Sequence, residues 1–332
     1  MGNDPKSTDD GDRKDPHAEL DTSLVTPLAN VQLSSHPSAQ PRAAASQPTF
    51  APGDLLVNRF RILRFIAKGG MGEVYEAEDL ELQGDRVAIK TVLPSIANNP
   101  EAIAQFKREI QLARKVTHPN VCRIFDLVYD QRPSGAIAFL TMELLEGETV
   151  SSLIEKSGTV PLDQALELGR QMAEGLHAAH RAGVIHQDFK SGNVMIVPAK
   201  DGEGKRAVIT DFGLAHNVRD AERESGNSIG TPAYMAPEQL LGEPINARVD
   251  IFSYGVAAYE LLTNQKPFPG DTPTEIVKKQ LNRRDFVAPR DYNPDLPAGM
   301  EKVILRCLER DPDKRYPFVG LMAREIKSAL YV

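Results

Sequence analysis

The stretch His186-Gln187-Asp188-Phe189-Lys190-Ser191-Gly192-Asn193 places a carboxylate, an ammonium and an amide close together in the chain. Downstream come Asp211-Phe212-Gly213 and Ala236-Pro237-Glu238; upstream come the strand-like Val87-Ala88-Ile89-Lys90 and the turn Lys68-Gly69-Gly70-Met71-Gly72. Each fragment alone is weak. Glycines between strands more often mark a hairpin than a phosphate site, and a lone lysine is ordinarily solvated surface. The functional reading of the glycines is that backbone without side chains approaches phosphate oxygens and donates N–H bonds to them. Five fragments in this order and spacing are not coincidence.

Around them the chain reads as a β meander followed by helices. Arg59 to Ile66 alternates polar and apolar, as a half-buried strand should. Glu73-Val74-Tyr75-Glu76-Ala77 and Val87 to Lys90 continue it. A helix is signalled by Asn99 as N-cap, Pro100 in the first turn and Glu101 at the positive dipole end. Ile103, Phe106, Ile110 and Ala113 form its apolar stripe. Strand-like runs from Val121 to Val128 and Ala136 to Met142 complete a small β-rich lobe. Leu168, Met172, Leu176 and Ala179 then mark a long helix ended by Gly183. Asn246 to Leu262 and Met300 to Leu308 mark two more. Residues before Phe50 contain no aromatic and are rich in Asp, Ser, Ala, Gln and Pro. Such a segment cannot bury enough apolar surface to offset its ordering entropy, so residues 1–52 are expected to be a disordered tail.

The composition narrows the function classes. The net charge of −7 over 332 residues argues against broad nucleic-acid or anionic-membrane binding. Cys122 and Cys307 are too few for a disulfide framework and read as core residues in a reducing compartment. The opening residues do not read as a secretory leader and no apolar run is long enough for a bilayer, so no membrane segment is expected and the chain is expected in the cytoplasm.

With these motifs in place, the sequence resembles the protein kinase superfamily over roughly residues 58–332, and most closely the bacterial eukaryotic-like (Hanks-type) serine/threonine protein kinases. Further matching phrases are His118-Pro119-Asn120, Gly230-Thr231-Pro232-Ala233-Tyr234-Met235 and Asp311-Pro312-Asp313-Lys314-Arg315. The resemblance implies an α+β, two-lobed protein-kinase-like fold in a domain spanning 53–332. A small β-rich N-lobe with one regulatory helix would occupy about 53–142, a hinge 143–146 and a larger, mainly helical C-lobe 147–332. It also implies transfer of the γ-phosphoryl group of Mg-ATP to Ser/Thr hydroxyls of proteins, with autophosphorylation, a signalling role and self-association through the small lobe.

Site residues are carried over position by position. Asp188 resembles the residue that orients the attacking hydroxyl and accepts its proton, and Lys190 the one that stabilises transferring charge. Asn193 and Asp211 match the Mg²⁺ ligands; hard cations prefer such oxygens. Lys90 resembles the lysine on the α and β phosphates. Its implied partner is Glu109, at the edge of the apolar stripe beside Phe106 and Ile110, where a carboxylate is costly unless paired. Thr231 would contact Asp188 and Lys190. Gly69 and Gly72 belong to the phosphate loop. Ile66, Val74 and Ala88 would cover one face of the adenine and Met195 the other, with Met142 as gatekeeper and the Glu143 carbonyl and Leu145 amide as hinge groups. His186 is implied to be a packing residue, Asp250 a brace for the catalytic loop, and Glu238 with Arg315 an ion pair.

Two departures stand out. Ala67 replaces the first glycine of the phosphate loop, so any penalty should fall on nucleotide affinity. Gln187 replaces the usual Arg and cannot make a bidentate bond to phosphate; activity should depend less on activation-loop phosphorylation, for which Ser225 and Ser228 are the candidates. Two other readings compete. A pseudokinase is disfavoured because Lys90, Asp188, Asn193 and Asp211 are all present. A small-molecule phosphotransferase of the aminoglycoside or choline type shares the lobes, but lacks the segment found here at 230–238.

Overall fold

Strand β1 (Leu55–Leu56), β2 (Phe60–Gly69), β3 (Gly72–Asp79), β4 (Asp85–Thr91), β5 (Ile124–Arg132) and β6 (Gly135–Glu143) pair into one antiparallel sheet in the order β1-β2-β3-β4-β6-β5. The structure, a computed structural model, describes residues 48–69, 72–132, 135–199, 204–212, 232–283 and 285–330. Most of the expected tail, up to residue 47, lies outside these, as does the stretch carrying Ser225, Ser228 and Thr231.

Period-two alternation gives the sheet two different faces. Tyr75, Ala77, Val87 and Ile89 pack with Phe60, Ile62 and Phe139 in one apolar cluster. The intervening Val74, Ala88 and Lys90 face the other way, with Val74 opposite Lys90 and Ala88 opposite Met142. Phe50 joins the first cluster: it is buried, its ring lies 5.3 Å from that of Tyr75, and its N–H donates to the Tyr75 hydroxyl at 3.2 Å. The packed chain therefore begins before the expected boundary at residue 53. One aromatic side chain supplies the apolar area that the rest of the segment lacks.

After β4 come α1 (Pro94–Ala97) and α2 (Pro100–Ala113). The Asn99 side chain accepts from the Glu101 and Ala102 amides at 3.0 and 3.1 Å, capping α2. Phe106 and Ile110 seat the helix against Val92, Ala138 and Leu140 of the sheet. The strand expected from Val121 starts at Ile124 instead. Asn120 and Cys122 are tied to the large lobe, where the Ile209 amide donates to the Asn120 carbonyl at 2.9 Å and the Cys122 amide to the Ile209 carbonyl at 2.8 Å.

The large lobe contains α3 (Val150–Ser157), α4 (Leu162–Arg181), α5 (Pro237–Leu241), α6 (Arg248–Thr263), α7 (Pro273–Asn282), α8 (Pro289–Tyr292), α9 (Ala298–Cys307) and α10 (Val319–Leu330). A second sheet, β7 (Glu148–Thr149), β8 (Val194–Pro198) and β9 (Lys205–Ile209), lies among them. Helix α6 is buried at every position from Val249 to Leu262, as expected of a helix at the centre of a lobe. Helix α4 buries Ala165, Leu168, Met172, Leu176 and Ala179. The chain leaves it through Gly183, at φ +78°, whose N–H returns to the His180 carbonyl. Among the described residues no helix is long and apolar enough to cross a membrane.

Candidate active site

The register of β8 on β9, Val194 opposite Ile209, brings the residues just outside both strands to one end of the sheet. The Thr210 N–H donates to the Asn193 carbonyl at 2.9 Å, so Asn193 and Asp211 are neighbours. Asn193 Nδ2 donates to the Asp188 carbonyl at 2.8 Å and to Asp188 Oδ2 at 3.1 Å. Lys190 Nζ donates to the same Oδ2 at 2.8 Å. Asp188, Lys190 and Asn193 thus form one hydrogen-bonded knot.

A second layer holds this loop in place. The Asp250 carboxylate, fully buried, accepts from the His186 and Gln187 amides at 2.7 Å each and meets His180 Nε2 at 2.7 Å. Gln187 sits at φ +63°, a left-handed conformation unusual for a side-chain-bearing residue. Its amide is held by Asp250 and its carbonyl accepts from Gln239 Nε2 at 3.1 Å. His186 is fully buried against Phe189 and Phe212. Its Nε2 meets the Thr210 carbonyl at 2.9 Å and its Nδ1 accepts from the Asp188 amide at 3.3 Å. Both ring nitrogens are committed, which suits a packing residue and not a general base. At the far end of the segment, Arg315 grips Glu238 through two bonds of 2.7 and 2.8 Å, with both side chains buried.

Lys90 reaches across from β4. It is 5% exposed, and its Nζ lies 2.6 Å from Asp211 Oδ1. The expected Lys90–Glu109 pair is not among the ion pairs of the described residues. Glu109 is half-buried, accepts from Gln105 Nε2 at 3.2 Å, and faces a cavity shared with Val184, Ile185 and Gln187. A buried ammonium requires a carboxylate nearby, and Asp211 supplies one.

Asn193 and Asp211 fit a magnesium ion. Asn193 Nδ2 is committed to Asp188, which leaves its Oδ1 as the ligating atom beside the Asp211 carboxylate. Mg²⁺ takes few protein oxygens and completes its shell with water and phosphate. Among the described residues no cluster of three or more His, Cys, Asp or Glu could hold a metal without such help.

The residues expected around adenine are distributed as follows. Val74, Ala88 and Met142 lie on the cleft face of the sheet, and Ile66 is more exposed, near the end of β2. Met142, Leu145 and Met195 pack together around Cys122, Val197 and Val208. The Cys122 thiol contacts the Glu143 carbonyl at 3.8 Å, and burial pushes its pKa well up. The Glu143 carboxylate is pinned by Arg206 at 3.0 Å. In the turn expected to approach phosphate, Gly72 has φ +137°, and a Cβ there would come within 2.2 Å of the Thr91 carbonyl oxygen, so only glycine fits. Gly69 has open space around it. Glu73, next to Gly72, accepts from the Thr49 amide at 2.9 Å and from the Tyr75 hydroxyl, and pairs with Lys68 at 3.2 Å. Thr231 lies outside the described residues.

Three participants were not singled out as site residues from sequence. His180 shares the Asp250 carboxylate, Gln239 holds the Gln187 carbonyl, and Cys122 joins Met142, Leu145 and Met195. His180, adjoining Ala179 in the apolar stripe of α4, carried a readable signal. Gln239 and Cys122 carried none, because their partners are distant in sequence.

A β-rich lobe presenting Lys90 to an Asp188–Lys190–Asn193–Asp211 cluster on a helical lobe defines a two-lobed phosphotransferase architecture. The family model for the protein kinase domain matches residues 60–331, and the chain belongs to that family. It is similar to serine/threonine-protein kinase PknA of Mycobacterium tuberculosis, at 36% identity over 82% of this chain and 62% of PknA. It is also similar to the probable serine/threonine-protein kinase SCO3848 of Streptomyces coelicolor, at 34% identity over 83% of this chain and 40% of that protein. The chain therefore spans only part of the length of these relatives. Among solved structures, the Mycobacterium tuberculosis PknI kinase domain shares the fold, with a TM-score of 0.65 at 22% identity over 85% of this chain and 100% of that one.

Proposed function

We propose that this protein is a serine/threonine protein kinase that transfers the γ-phosphoryl group of Mg-ATP to Ser and Thr hydroxyls of protein substrates in the cytoplasm. The observation that carries the reading is the bond from Lys90 to Asp211 across the cleft, beside the knot of Asp188, Lys190 and Asn193. Lys90 holds the α and β phosphates, with Glu109 on α2 as the partner that the family resemblance implies. Asn193 and Asp211 would hold the magnesium, which would neutralise charge on the phosphates. Asp188 orients the acceptor hydroxyl and takes its proton as the oxygen–phosphorus bond forms and the β–γ bridging bond breaks; Lys190 fixes that carboxylate and faces the transferring charge. The family resemblance assigns Thr231 a role with these two residues. Ile66, Val74, Ala88, Met142 and Met195 enclose the adenine, the Glu143 carbonyl and Leu145 amide bond its edge, and Gly69 and Gly72 let backbone approach the phosphates.

The test is transfer of radiolabel from γ-labelled ATP with Mg²⁺ to the chain itself and to a generic basic protein, followed by mapping of the labelled residues. Asp188→Asn should abolish transfer while nucleotide binding and the melting temperature persist. Label on Ser and Thr supports the proposal; transfer equal in wild type and variant overturns it.

A further inference from the structure

The large lobe holds a second cavity, of about 450 Å³, away from the cluster just described. His118 contributes from the segment after α2, Glu174, His177 and Arg181 from α4, and Arg324 and Lys327 from α10. In a chain of net charge −7, three permanent cations and two imidazoles here surround one carboxylate. That carboxylate is already occupied: Glu174 meets Arg170 and Lys327 at 2.7 Å each. Among the described residues neither Arg181 nor Arg324, both exposed, forms an ion pair.

The imidazoles are built into the wall. The Asn120 N–H donates to His118 Nδ1 at 3.2 Å, which puts the proton of the neutral ring on Nε2 and makes that atom a donor. The His177 ring lies against Gly320 so closely that a Cβ there would come within 2.6 Å of Cε1. The glycine gives the ring its place. Burial lowers the pKa of both histidines. For His177 the Arg181 and His180 charges lower it further; for His118 the His177 charge lowers it and Glu174 opposes. The His177 ring can take up a proton when an anion arrives, whereas protonating His118 would break the bond from Asn120 to Nδ1.

We propose that this cavity binds a phosphate monoester, gripped by the guanidinium groups of Arg181 and Arg324, with His118 Nε2–H and His177 as further donors, while Lys327, on α10 with Arg324, stays paired with Glu174. A carboxylate offers one charge and two oxygens. A phosphate monoester offers up to two charges and three strong acceptor oxygens, and its second ionisation near pH ~6 lies beside that of imidazole. Arginine forks match phosphate geometry. The volume leaves room for the group that bears the phosphate, either a phosphorylated side chain of a protein or a small phosphorylated compound.

The experiment is a proton NMR titration of the imidazole C2 resonances of the intact chain, with His118→Gln and His177→Gln as assignment variants. The probes are blocked phosphoserine and inorganic phosphate, with sodium chloride at equal ionic strength as control. A phosphate probe should shift both histidine resonances saturably and raise the titration midpoint of His177. Arg181→Gln combined with Arg324→Gln should weaken binding on the order of 100-fold, roughly tenfold per guanidinium, and leave phosphoryl transfer to a protein acceptor unchanged. Tighter binding of blocked phosphoserine points to a phosphorylated side chain; equal affinity points to a small phosphorylated compound. The proposal is overturned if neither probe saturates, if sodium chloride reproduces the shifts, or if the double substitution binds as well as wild type.

Discussion

Asp250→Asn removes one charge and keeps the shape of a fully buried side chain. Oδ2 receives the His186 amide and His180 Nε2, and Oδ1 receives the Gln187 amide. An amide has a single acceptor oxygen, so in either orientation its NH₂ meets a backbone N–H. Keeping the oxygen at the Oδ2 position saves two bonds and sacrifices one, so the Gln187 end breaks. A bond to a charged group contributes about 1.5–3 kcal/mol and a stranded buried donor costs about 1–3 kcal/mol, which places the loss near ~3 kcal/mol. For a domain of this size that corresponds to a melting temperature lower by about 5–10 °C. The released residue is Gln187, whose left-handed backbone costs about 1–2 kcal/mol unless held. Asp188 follows it directly, and a displacement of ~1 Å at a reacting group can lower the rate about 100-fold. Calorimetry and single-turnover transfer, measured well below the variant's melting temperature, test the two effects separately. An unchanged melting temperature, or full transfer by a destabilised variant, refutes the idea that Asp250 positions the catalytic loop.

Three further outcomes follow from the same geometry. Gly72→Ala, which drives a Cβ into the Thr91 carbonyl, should lower kcat/KM for ATP by about tenfold, read from steady-state kinetics. Arg315→Met strands the buried Glu238 carboxylate and should cost about 3–5 kcal/mol in urea denaturation, with part recovered when Glu238→Leu is added. Burial opposes ionisation of Glu73, but hydrogen bonds from Tyr75 and Thr49 and the contact with Lys68 hold its pKa down to about 2 from an ordinary 4.5. A depressed carboxyl pKa adds stability that is fully present above the unfolded value and disappears as pH falls through the folded one. Between about pH 4.5 and 2, wild type should therefore lose stability more steeply than Glu73→Gln, as followed by melting temperature against pH.

The fold class and the grouping of Asp188, Lys190 and Asn193 are legible in the sequence because they rest on local signals. The α2 cap at Asn99, the alternation in β2 to β4 and the left-handed exit at Gly183 are decided by neighbours in the chain. Asp188, Lys190 and Asn193 come from one short loop, so a linear motif carries their relation. The packed chain starts a few residues before the boundary that composition predicts, because composition averages over a window, whereas Phe50 is a single side chain that finds Tyr75.

Pairing across the cleft was a different matter. The family resemblance pairs Lys90 with Glu109, whereas the relative placement of β4, α2 and the end of β9 brings its ammonium to Asp211. Likewise, His180, Gln239 and Cys122 acquire their parts only when distant segments pack together. Local backbone preference and hydrophobic period are written along the chain. The partner of a buried polar group is decided by whichever complementary group the packing brings within about 3 Å.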